Sequence, residues 1–202
     1  MSSLLINDSN ISELFNLKDD KYSDLTSINI EDVNLDSNIV FDSKTLKNIE
    51  IFSCKLKNLD FSKCPSLSQF RLLVSSCENL DLTSCTNLET FYSRLSEIPI
   101  KVNLSNCPKL SHVQCNDDNI IDLNVVGCSN LTTLQYKTSK KNIQYIDLAG
   151  CCNLENLSIY CDSINLQDCV KLKFIEGYVG KNTDLSFLPN LKEYKAPLFR
   201  KI

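Results

Sequence analysis

The stretch Leu46-Lys47-Asn48-Ile49-Glu50-Ile51-Phe52-Ser53-Cys54-Lys55-Leu56, followed closely by Leu59-Asp60-Phe61-Ser62-Lys63-Cys64, decides the fold. Its opening leucine recurs along the chain at Leu25, Leu46, Leu67, Leu88, Leu110, Leu131, Leu154, Leu172 and Leu191, in steps of 21, 21, 21, 22, 21, 23, 18 and 19 residues. Three residues after each opener stands a second apolar residue: Ile28, Ile49, Phe70, Phe91, Val113, Leu134, Leu157, Ile175 and Tyr194. A fixed period in the twenties marks a stacked array, because one such unit cannot bury its apolar face alone and needs a neighbour on each side.

The second half of the unit is the more uniform. It reads Leu59-Asp60-Phe61-Ser62, Leu80-Asp81-Leu82-Thr83, Val102-Asn103-Leu104-Ser105, Ile146-Asp147-Leu148-Ala149 and Ile164-Asn165-Leu166-Gln167. Alternating apolar and polar residues suit a half-buried strand. The Asp, Asn, Ser and Thr between them bond readily to nearby backbone, which suits tight corners. Both halves are expected to be extended, and a coil of ~21 residues leaves no space for a long helix.

The first half follows the pattern L-x-x-L-x-L-x-x-N/C-x-L and so resembles leucine-rich repeats from about residue 22 to 196. Within that family it is similar to the short 21-residue subclass called IRREKO, whose second half also carries an L-x-x-L-D-L phrase. The resemblance implies a mostly β leucine-rich-repeat solenoid, a curved right-handed coil of about nine repeats. Two units depart from the pattern, with Ser93 and Gly177 where an apolar residue belongs. The repeat array is assigned to 22–202. Residues 1–21 form an N-terminal cap or tail: Asn10 followed by Glu13 resembles a capping box, and Leu14, Phe15 and Leu17 are placed to cover the first coil. A disordered tail is the other reading of that segment. At the far end Tyr194, Leu198 and Phe199 are expected to close the core, with Pro197 ending strand pairing.

Eleven cysteines raise the possibilities of disulfides and zinc. Six of them, Cys64, Cys85, Cys107, Cys128, Cys151 and Cys169, stand three residues before an opening leucine, a slot that Leu188 fills in the last unit. A position that takes Cys or Leu is interior, so a ladder of reduced structural thiols is expected. Rungs ~5 Å apart fall within the Cα range of a disulfide, but side chains pointing in parallel fit its geometry poorly. No C-x₂₋₄-C pair suggests a zinc site. The expectation is therefore no metal and no cofactor. The odd thiol count and a Met1–Asp8 segment without a basic region suit a reducing, cytoplasmic location. A net charge of −4 and no long apolar run make nucleic acid and membrane poor partners.

Catalysis has few candidate groups. The single histidine, His112, has Gln114 as its same-face neighbour, while Cys115 points to the opposite face. The four glycines are dispersed and form no phosphate loop. No catalytic residue is assigned.

The resemblance places binding on the sheet formed by the first halves, the concave one, and the target is an unidentified protein. Outward positions there vary freely and hold large side chains, whereas the matching second-half positions repeat Asp, Asn, Ser and Thr. Of three arginines, Arg71 and Arg94 fall on this face beside Tyr92, residue types enriched at interface hot spots. His112, Tyr160, Phe174 and Tyr178 complete the candidate protein-binding residues, with inward packing of Phe174 left open. A concave sheet built instead from the Asp-rich halves is the competing assignment. The functional reading is a non-catalytic interaction module, with a monomer favoured. A self-assembling structural array and an adaptor subunit of a larger complex are the alternatives.

Overall fold

A computed structural model describes residues 2–137, 143–181 and 183–196. In chain order its strands are β1 (Ser3–Ile6), β2 (Ser27–Glu31), β3 (Asn34–Asp42), β4 (Asn48–Phe52), β5 (Lys55–Lys63), β6 (Gln69–Leu73), β7 (Asn79–Asp81) and β8 (Thr90–Arg94). There follow β9 (Ile100–Asn103), β10 (His112–Asn116), β11 (Ile120–Asn124), β12 (Thr133–Tyr136), β13 (Ile143–Asp147), β14 (Asn156–Asn165), β15 (Phe174–Val179) and β16 (Glu193–Lys195). The first halves of the repeat pair in parallel along β1-β2-β4-β6-β8-β10-β12-β14-β15-β16, and the second halves along β3-β5-β7-β9-β11. The result is a parallel β-solenoid of about nine turns with very little helix. The ten-residue β14 turns the corner between the two sheets: its start pairs with β12 and β15, and its end with β13.

Along the first sheet register follows the sequence period, whereas the second sheet shifts register between Leu35 and Asn38, between Val40 and Asp42, and between Ile120 and Asp122. Ile28, Ile49, Phe70, Phe91, Val113, Leu134, Leu157, Ile175 and Tyr194 are successive partners across the first sheet. The opening leucines from Leu25 to Leu172 are fully buried behind them, and Leu191 is half-buried. An aromatic spine runs through the early coils: Phe41 stacks on Phe61 at 4.8 Å, Phe61 meets Phe70 edge-on at 5.3 Å, and Phe70 stacks on Phe91 at 6.1 Å. Such contacts add about 0.5–1.5 kcal/mol each to simple burial.

The thiol ladder lies inside, and its rungs are hydrogen-bonded as well as buried. Cys107, Cys128, Cys151 and Cys169 direct their Sγ–H at the carbonyls of Leu82, Leu104, Val125 and Leu148 in the preceding coil, at 3.0–3.5 Å. The Leu82, Val125 and Leu148 carbonyls also accept the Cys85, Cys128 and Cys151 backbone N–H of their own coil. Cysteine is therefore an apolar side chain that also fills a carbonyl's second lone pair, which leucine cannot do. Ser43 holds this slot in the first coil and accepts the Leu46 N–H.

The two irregular units are compensated. Ser93 is fully buried, and its hydroxyl donates to Asp117 Oδ2 of the next coil at 2.9 Å. The same oxygen accepts the Ser96 N–H at 3.0 Å and the Ser96 hydroxyl, while Asp117 Oδ1 accepts the Asn119 N–H at 3.0 Å. A buried carboxylate so surrounded meets its hydrogen-bonding demand without a cation. Gly177 has φ +112° and lies against the Ile159 carbonyl, where a Cβ has no space.

The N-terminal segment differs from the helical cap expected at Asn10. Ser3–Ile6 adds a strand to the first sheet, in register with Ser27–Ile30. Ile11–Asn16 is a 3-10 helix whose Asn10 makes no side-chain cap, because Asn10 Oδ1 accepts the Asn7 N–H and Asn10 Nδ2 donates to the Leu5 carbonyl. Glu13 is drawn instead to Lys21 and Tyr22. Leu14 and Leu17 are buried as the cap requires, while Phe15 is exposed. Of the residues expected to close the core, Tyr194 is exposed on the edge strand β16, and Leu198 and Phe199, with Pro197, lie outside the described residues.

Gly177→Ala tests the packing of the last coils. The added methyl group meets backbone that cannot swing aside, at a φ that disfavours any L side chain, so a loss of about 3 kcal/mol or more is expected. Chemical denaturation with circular dichroism measures it.

Candidate protein-binding face

Hydrogen bonding within each coil determines which side chains remain free for a partner. In the second halves of the repeat Asp60, Asp81, Asn103, Asn124, Asp147, Asn165 and Asp184 each accept, through Oδ1, the backbone N–H two residues on. These bonds hold the Asp60 and Asp184 carboxyls below the usual carboxylate range, chiefly through the Ser62 backbone N–H and the Ser186 side chain respectively. The polar monotony of this half is architectural.

The outward residues of the first sheet are not committed in this way. Along its central row Glu50, Arg71, Tyr92, Gln114, Gln135, Ser158 and Glu176 are successive cross-strand partners. Arg71 Nη1 meets Glu50 Oε2 at 2.9 Å, and its guanidinium carbon lies 5.4 Å from the Tyr92 ring centroid. The pair is exposed and adds little stability, but with the ring it holds the guanidinium in one orientation. Arg94 stands two residues beyond Tyr92 on β8, paired in register with Leu73 and Asn116. The three candidate residues therefore share one face of two adjacent strands.

His112 lies between Thr90 and Thr133, with the Ser111 hydroxyl 2.8 Å from its Nδ1. Cys115 is fully buried behind it. Tyr160 and Tyr178 are direct partners on β14 and β15. Phe174, 41% exposed, points outward on the same face of β15 as Tyr178. The face thus carries two clusters, one on β6 and β8 and one on β14 and β15. A polar strip of His112, Gln114, Thr133 and Gln135 separates them, and at ~4.8 Å per strand they lie ~14 Å apart.

Sequence reading missed the corner that follows the first-sheet strands. Asp32, Ser53, Val74 and Leu95 occupy it in consecutive coils, all with φ between +49° and +60°. Their N–H groups donate to Phe52, Leu73, Arg94 and Asn116 of the next coil, extending the ladder by one bond. Val74 and Leu95 are exposed there. The detectable signal was a pair of apolar residues replacing Asp and Ser at one period.

All eleven thiols are free, ten of them buried, and Cys152 half-exposed. Among the described residues no group of three or more His, Cys, Asp or Glu is placed to hold a metal ion. No helix among them is long and apolar enough to cross a membrane. Comparison with known proteins gave no match to a family model, a curated protein or a solved structure.

Burial pushes the Cys64 thiol up to about 11, and those of Cys77, Cys85, Cys107, Cys161 and Cys169 up to about 12. An unfolded thiol ionises near 9.0, so the folded chain retains these protons while the unfolded chain releases them. The stability that this difference supplies is complete below pH 9.0 and drains as pH rises toward about 11 to 12. Alkaline unfolding monitored by circular dichroism is expected to begin in that window. At neutral pH a thiol reagent is expected to modify Cys152 first, with the buried thiols reacting only on unfolding, as read by intact mass.

Proposed function

We propose that this chain is a leucine-rich-repeat protein of the short 21-residue type, coiled right-handed, that binds another protein on its first-half sheet. In this reading that sheet is the concave one, and the module acts without catalysis in the reducing cytoplasm, where free thiols persist. The carrying observation is the contrast between the two faces. Second-sheet Asp and Asn oxygens are consumed by their own turns, whereas the first sheet presents variable side chains with Arg71 clamped between Glu50 and Tyr92.

The mechanism is recognition by pre-organised anchors. Strands paired on both sides hold Arg71, Tyr92 and Arg94 before a partner arrives, which reduces the ordering cost of association. The tyrosines contribute wide, rigid contact area, and a guanidinium held against a ring offers a directed fork to a partner carboxylate. Tyr160, Phe174 and Tyr178 supply the second anchor, and His112 lies in the strip between the two. A span of two anchors ~14 Å apart suits a folded protein surface. A net charge of −4 argues against nucleic acid and anionic membrane as targets.

The test is capture from source-cell lysate, followed by titration of the purified partner against defined variants. Arg71→Ala combined with Tyr92→Ala is expected to weaken binding at least ~10-fold while circular dichroism stays unchanged. Lys101→Ala with Asp122→Ala, on the second sheet, is expected to leave affinity intact. The opposite pattern would move the site to the second sheet.

A further inference from the structure

From the exposed corner of the early coils we infer that two copies of this chain pair antiparallel along that edge. Side chains at the end of each first-sheet strand form a row: Glu31, Phe52, Leu73 and Arg94 are successive cross-strand partners. The next residue in the last two of these coils is Val74 or Leu95. The row is therefore acidic at one end, apolar in the middle and basic at the other. Phe52 is 42% exposed, Val74 36% and Leu95 55%.

Strain at the same residues points to a use outside folding. Val74 has φ +49° and Leu95 φ +60°, in a region that disfavours branched side chains. Ser53 and Asp32 adopt the same conformation one and two coils before Val74, with small polar side chains that suit it better. The chain thus places two apolar residues where they are both strained and wet. Backbone strain of this kind clusters at functional positions, which singles out this corner for the inference.

The sequence of charges selects the occupant. A two-fold axis between β4 and β6 exchanges the first strand of the row with the fourth and the second with the third. Glu31 of one copy then meets Arg94 of the other, Phe52 meets Leu73, and each contact occurs twice. An isologous interface requires this self-complementarity. Neither Glu31 nor Arg94 has an ion-pair partner among the described residues. Arg71 of the central row is already paired with Glu50 and stays outside the contact. A ridge of this extent buries less than the ~800 Å² per partner of a standard interface, so the dimer is weak and concentration-dependent. This differs from the monomer expected from the sequence, and since Arg94 belongs to both surfaces, pairing and a foreign partner compete for that residue.

Sedimentation over a series from micromolar to submillimolar protein tests the pairing. The mass is expected to rise from 22.9 kDa toward twice that value. Arg94→Glu sets like charges together and is expected to weaken dimerisation at least ~10-fold, and adding Glu31→Arg to the same chain is expected to restore it. Phe52→Ser removes the apolar contact with Leu73 of the other copy and is expected to lower dimerisation with the fold intact by circular dichroism. Arg71→Ala with Tyr92→Ala should leave the dimer unchanged, separating this edge from the partner-binding face. A monomer at every concentration overturns the proposal. So does a dimer indifferent to Arg94→Glu, or one that the charge swap fails to restore with the fold intact by circular dichroism.

Discussion

In-register parallel pairing is the constraint on which everything else here depends. Along the first sheet each residue lies directly over its equivalent one coil away, at the ~4.8 Å of a sheet ladder, so whatever occupies a position is repeated along the axis. Apolar positions gain from this, because leucine stacks on leucine and phenylalanine on phenylalanine. Charged positions lose, because like charges directly opposite repel. Four outward pairs resolve the conflict by alternation between coils, while Asp60 and Asp81, directly opposite each other, are each bound into their own turn. Asp36 meets Lys57, Asp42 meets Lys63, Glu50 meets Arg71 and Glu155 meets Lys173, every one a pair across neighbouring coils.

The same stacking explains the cysteines and the tolerance of irregular units. A thiol is small enough to repeat without crowding, apolar enough to be buried, and able to donate to the carbonyl of the coil before it. Where the repeat fails at Ser93, the deficit is met from the next coil by Asp117, since a buried hydroxyl needs a partner and the adjacent strand is the nearest source. Gly177 answers a different demand, that of backbone passing too close to Ile159 for any side chain. Both departures are local repairs of one ladder, and neither interrupts the register on either side.

A solenoid with its interior so fully specified expresses individuality on its surface. The second sheet uses its outward Asp and Asn to hold turns, which leaves the first sheet and its adjoining corner as the variable surfaces. They differ in kind. The sheet carries side chains oriented by neighbours, as Arg71 is by Glu50 and Tyr92, while the corner carries exposed apolar groups, Val74 and Leu95, on positive-φ backbone.

The period of the leucines alone determined that this chain stacks, how many turns it makes and which residues face inward. That was legible because every turn contributes the same local pattern and the register only repeats it. The cysteine slot was legible for the same reason, as a position shared by Cys64, Cys85 and Leu188. Three features required the tertiary structure. Ser3–Ile6 lies outside the period yet joins the sheet, because an open edge accepts any short extended segment that brings Leu4 over Ile28. Asp117 reads as a surface residue and lies buried, because its place is decided by Ser93 and Ser96 of the preceding coil. Val74 and Leu95 read as ordinary apolar residues, and only the path of the main chain gives them positive φ and exposure. In each case the deciding contact comes from a neighbouring segment that the repeat phrase does not encode.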